Sequence, residues 1–124
     1  MKTKPVEKGS TEAHRQAMES NFEELRRVVE ANEEVVNAQD KNGWTPLHEA
    51  IRAKEIEIVR YLLEKGSDVN LRTREKNGKG GAALHLARTY VGEDDPLITL
   101  LLSYGAKHYV PYKEEEVPLE EQEL

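Results

Sequence analysis

The chain has 124 residues, 37% of them hydrophobic and 34% charged, with a formal net charge of -6 and a sequence pI near 5.3. That length holds one small domain with a thin core, and the acidic balance argues against general nucleic-acid affinity, which needs a basic footprint. The absence of cysteine excludes disulfide frameworks and thiolate metal sites; no apolar run approaches the roughly 18 residues of a membrane span, and Met1 to Ser10 lacks a signal-peptide core, so an intracellular, cytoplasmic setting is expected.

Residues 1–10, with Lys2, Lys4, Pro5, Lys8 and Gly9, have too little apolar surface to fold alone and read as a flexible lead-in. A short helix containing His14, Ala17 and Met18 is predicted to reach Ser20. There Ser20-Asn21-Phe22-Glu23 has the form of a capping box that opens the next helix. Phe22, Leu25, Val28 and Val29 give that helix one apolar face. Val35-Val36-Asn37 then leads into a turn at Asp40 to Gly43. Thr45 is a good N-cap and Pro46 a good first helical residue, since its missing N–H would be unpaired there in any case. From Ile56, the residues Val59, Leu62 and Leu63 recur at helical spacing, and Gly66 follows as a stop near Lys65. Leu84-His85-Leu86-Ala87 opens a further helix; Asp95-Pro96 is the cap pair of the one after it, which runs through Leu97, Ile98 and Leu100–Leu102 to Gly105.

Thr45-Pro46-Leu47-His48-x-Ala50, with Gly66 and Asp68-Val69-Asn70 in register, resembles one ankyrin repeat, a unit of roughly 33 residues made of a β-turn and two helices. The resemblance implies an all-α solenoid of stacked helix-turn-helix units with β-hairpin or turn fingers, in repeats of about 11–37, 38–70 and 71–108, followed by an aromatic and then acidic tail over 109–124. The first unit departs from the family pattern: it has no threonine-proline start, and Glu33-Glu34 stands near the family glycine. Both departures suit a capping repeat. In the second, Lys54 replaces the small residue between the helices, which implies a slightly strained turn. In the third, Leu47 and Leu84 are 37 residues apart, so the finger from Arg72 to Gly81 is lengthened, and two further residues are inserted around Tyr90 to Asp95.

The resemblance assigns His48 a structural role, bonded to Thr45 and to the backbone of the neighbouring repeat. His85 lacks that partner, because Ala82 stands in the threonine position. The four histidines show no metal-ligand spacing. Gly78-Lys79-Gly80-Gly81-Ala82-Ala83 formally matches the glycine-rich dinucleotide fingerprint and opens a helix, but Arg72 to Asn77 is not the buried strand that fingerprint requires. No catalytic constellation and no cofactor or small-molecule site is expected.

Function is therefore read as protein binding through hairpin tips and the concave surface of the first helices, an implication of the resemblance. The alternative is a targeting or inhibitory module of an enzyme, in cis or in trans. Lys41, Asn42, Trp44 and Arg52 would share the groove, with Trp44 either an interface anchor or packed against the next repeat. Arg72, Arg74, Lys76 and Lys79 against Glu75 give the finger a local balance of +3, which suits an acidic segment of a partner or a phosphate, or else a solvated loop. Tyr109, Val110 and Tyr112 are expected to cover the end of the third repeat. The glutamates from Glu114 to Glu123 would lie within reach of the finger.

Overall fold

The structure, a computed structural model, describes residues 9–74, 80–109, 111–113 and 117–119. The described residues hold six α-helices and no strand: α1 (Glu12–Met18), α2 (Phe22–Ala31), α3 (Pro46–Arg52), α4 (Ile56–Glu64), α5 (Ala83–Tyr90) and α6 (Pro96–Ser103). They pair as α1–α2, α3–α4 and α5–α6, and the pairs stack through α1 on α3 and α3 on α5. The inner row is close-packed because it presents small residues, with Ala13, Ala17, Ala50, Ala83 and Ala87 all buried. The outer row is more open. Leu25, Leu47, Ile51, Val59, Leu62, Leu84 and Leu101 join the three pairs into one apolar cluster.

Helix starts follow local chemistry. The Oγ of Thr45 accepts from the backbone N–H of His48 at 3.3 Å, and the Thr45 N–H donates to His48 Nδ1 at 2.9 Å, with Pro46 at the first helical position. Asp95 caps α6 through a 2.9 Å bond from the Leu97 N–H. One expectation for the first unit is corrected. α1 ends at Met18; Ser20 takes φ 60, and Asn21 is the cap of α2, its Oδ1 accepting from Glu24 N–H. The first unit also has a threonine start: Thr11 and His14 repeat the reciprocal arrangement of Thr45 and His48 without a proline. Where Glu33-Glu34 replaces the glycine, the chain forms a 3-10 turn over Glu33–Asn37. Lys54 is left-handed at φ 61, the strain its side chain implies. The third unit carries its extra residues between α5 and α6, where Val91–Asp95 connects helices that Ala53–Glu55 joins in the second.

Successive units are tied by two polar series. Nε2 of His14 bonds the Trp44 carbonyl at 2.8 Å, and Nε2 of His48 bonds the Leu71 carbonyl at 3.2 Å. Asn37 donates to the Gly66 carbonyl and accepts from Asp68 N–H; Asn70 does the same to the Gly105 carbonyl and Lys107 N–H. Each side chain satisfies backbone groups of the unit that follows.

Candidate protein-binding surface

Two fingers flank the stack: the first, 40–44, is a turn closed on itself, and of the second the described residues are 71–74 and 80–81. In the first, buried Asp40 accepts from the Asn42 and Trp44 N–H groups at 2.9 and 3.0 Å, and its own N–H donates to the Trp44 carbonyl. Gly43 has φ 79, and a Cβ there would stand 2.7 Å from the Arg74 backbone nitrogen, so the second finger can lie directly against the first only because this residue is glycine. The second finger is closed by Thr73 N–H to the Gly81 carbonyl at 3.0 Å. The fingers are joined by Arg74 N–H to the Asn42 carbonyl at 2.7 Å. Gln39 Nε2 bridges the Gly43 and Arg72 carbonyls.

On this frame Lys41 is exposed, Asn42 half-buried, and the Arg74 side chain exposed. Trp44 is only 3% exposed, so its ring is part of the core, and the sequence-level picture of an open aromatic anchor does not describe it. Its edge meets His48 with ring centroids 5.8 Å apart, and the Arg52 guanidinium covers it at 4.7 Å. Buried Glu49 takes Arg52 Nη2 at 2.5 Å. Arg52 thus makes both contacts within its own unit with its side chain still 36% exposed. Gln39 was missed in the sequence because its role depends on a contact between fingers, whereas Glu49 stands three residues before Arg52 on α3, a spacing at which side chains on one helix meet. Arg72 is engaged within the molecule, its Nε–H donating to the Gly80 carbonyl and its guanidinium lying over the Tyr109 and Tyr112 rings. Lys76, Lys79 and Glu75 lie outside the described residues, as do 1–8 of the lead-in, Val110 and the tail glutamates from Glu114 to Glu123.

Electrostatics give the histidines structural roles. Because the Thr45 N–H points at Nδ1, His48 must be neutral with its proton on Nε2, and burial holds its pKa down to about 4. His14 is lowered in the same direction, mainly by burial, against the raising effects of the Trp44 carbonyl and Asp40. His85, lowered by burial and by His108, sits half-buried against the His108 ring. Among the described residues no three His, Asp or Glu side chains converge as a metal site, and no helix is long and apolar enough to cross a membrane.

Residues 2–73 and 17–111 match the sequence pattern described as ankyrin repeats (3 copies). The chain belongs to the ankyrin repeat family. Ankyrin repeats as a rule bind other proteins and are not themselves catalytic. The human DNA-binding protein RFXANK is 34% identical over 85 residues, 68% of this chain and 31% of that protein. Ankyrin repeat and SOCS box protein 3 of Bos taurus is 32% identical over 103 residues, 83% of this chain and 19% of that protein. NAD-capped RNA hydrolase NUDT12 of Macaca fascicularis is 35% identical over 68 residues, 55% of this chain and 15% of that protein. The ankyrin chain thus spans less than a third of the length of these relatives.

Proposed function

We propose that this chain is an ankyrin-repeat recognition module that binds an acidic segment of a partner protein through its fingertips and the exposed surface of its inner helices, in an intracellular, cytoplasmic setting. The repeat domain is taken as 11–108, between a lead-in and a tail. Arg52 carries the reading. A guanidinium stacked on Trp44 and held by Glu49 has already lost its rotamer freedom, so a partner carboxylate can bind it with little further ordering. Lys41, Asn42 and Arg74 extend the surface along the fingertips, and Arg72, Lys76 and Lys79 continue it in sequence. Trp44 acts from beneath as the platform for Arg52. No nucleic acid, cofactor or small-molecule substrate is part of the reading.

The test is affinity capture with the wild-type chain and with Arg52→Ala and Lys41→Ala variants, each checked by thermal melting. The reading expects a stoichiometric partner whose binding falls in both variants, with the melting temperature unchanged in Lys41→Ala and lowered in Arg52→Ala, which takes the guanidinium from buried Glu49 and from the Trp44 ring; binding by the folded fraction of Arg52→Ala is the quantity compared. Partner binding indifferent to both changes would refute this surface. A second reading, a regulatory or targeting module of an enzyme, is favoured by the relatives whose names carry activities, NUDT12 and the Arabidopsis thaliana serine/threonine-protein kinase VIK, of which the chain covers 15% and 18%. It predicts that the captured partner is an enzyme whose turnover changes on adding this chain.

A further inference from the structure

The chain leaving α6 does more than end the last unit. Up to Lys107 it follows the ordinary connection between units, since Asn70 holds Gly105 and Lys107 as Asn37 holds Gly66 and Asp68. The next position in that series, counting from Gly105 as Asn70 is counted from Gly66, is Tyr109. A tyrosine therefore stands where the next asparagine would, and it turns back onto the second finger. The Ala82 N–H donates to the Tyr109 carbonyl at 3.4 Å. The Tyr109 ring lies 5.0 Å from the Arg72 guanidinium carbon, and the Tyr112 ring lies 3.9 Å from it. Arg72 Nε–H donates to the Gly80 carbonyl at 2.5 Å, and Tyr112 rests on Gly80 itself, where any Cβ would overlap the ring.

Resting on the acidic-partner reading above, we infer that Tyr109 and Tyr112 form an intramolecular clamp that withholds Arg72 from a partner, so that the C-terminal segment regulates the basic finger. Three features converge on this. The finger's residues 72–79 are rich in cations, yet the first of them is covered by two aromatic faces that satisfy a guanidinium without neutralising it. Glycine at position 80 supplies the space the second ring needs. The exposed side chain of neighbouring Arg74 leaves part of the finger open, so the clamp lowers affinity instead of abolishing it. Releasing the clamp returns a cation to the surface without changing net charge.

The experiment uses the full chain and a fluorescent octaglutamate peptide as probe. Three proteins are compared: wild type, the double variant Tyr109→Leu with Tyr112→Leu, and that double variant carrying Arg72→Gln as well. Leucine keeps an apolar side chain beside Gly80 and Arg72 without an aromatic face, and Trp44 fluorescence confirms that each variant is folded. The double variant should bind about two- to fivefold tighter at low salt, the range one exposed ion pair supports, and the gain should vanish with Arg72→Gln and with added salt. In wild type the Arg72 Nε–H resonance should be displaced by the ring currents, and it should return to an ordinary position in the double variant. Equal affinity of wild type and double variant would overturn the clamp's regulatory role while leaving the acidic-partner reading intact. An undisplaced arginine resonance in wild type would overturn the clamp itself. Failure of all three proteins to bind would overturn the acidic-partner reading, and the regulation with it.

Discussion

His14 and His48 show how one side chain can hold a helix start and a neighbouring unit together. Nδ1 accepts from the threonine N–H on one side and Nε2–H reaches the next finger's carbonyl on the other, so both ring nitrogens are committed to the neutral form. Below pH 6.5 the unfolded chain binds a proton that folded His48, with a pKa of about 4, refuses. Stability from this site is therefore complete above pH 6.5 and is lost as pH falls toward 4, by about 2 kcal/mol between pH 7 and 5. His14 adds to the loss with the same sign. Urea midpoints followed by Trp44 fluorescence over that range should fall in wild type and fall less in His48→Asn; identical slopes would show that His48 is not held neutral by the fold. Lys54 is the second residue with a local cost. Its φ of 61 is a conformation glycine adopts freely, and its side chain is exposed, so Lys54→Gly should raise stability by roughly 0.5–1 kcal/mol in the same measurement.

The three inner helices begin on nearly the same backbone, with φ and ψ of -104 and 171 at Thr11, -109 and 169 at Thr45, and -101 and -176 at Ala82, yet only the first two have a side-chain cap. Ala82→Thr would place an Oγ where the Leu84 and His85 N–H groups emerge, and should stabilise by about 0.5–2 kcal/mol. In the parent chain, amides of α5 and α6 should exchange faster than those of α3 and α4. Equal protection of the two pairs would show that the missing cap does not weaken the third unit. Caps explain what was legible in the sequence: Thr45, Pro46 and Asp95 act within four residues, so their helices could be read directly. Thr11 was overlooked because the expected start was threonine followed by proline, whereas the physical requirement is only Oγ three residues before a histidine. Gln39 across the fingers and Arg72 between the tyrosines could not be read from spacing, because each joins loop residues 33 or more positions apart and loops have no periodicity to announce a contact.

At the scale of the whole stack, the inner row closes tightly on alanines while the outer row opens into a groove of about 430 Å³ between α4 and α6, floored by Ile56, Pro96 and Leu100. The same asymmetry governs what the outer helices bury. Val29, Leu63 and Leu102 occupy corresponding positions near the ends of α2, α4 and α6, each followed by the chain's return toward a finger. Their exposures are 0%, 4% and 49%. All three side chains are aliphatic, and Leu63 and Leu102 are identical; what differs is that α2 and α4 each have another helix pair stacked beyond them, and in the described structure α6 does not. Stability in such a stack is a sum of unit and interface contributions, so the same truncation should cost very different amounts at the two leucines. Leu63→Ala removes contacts from a closed interface and should destabilise by about 2–4 kcal/mol. Leu102→Ala loses little burial and should fall within about 0.5 kcal/mol of the parent. Denaturant midpoints of the two variants decide the matter: a cost at Leu102 approaching that at Leu63 would mean that α6 has a stacking partner in solution, and its disappearance on dilution would identify that partner as a second copy of the chain.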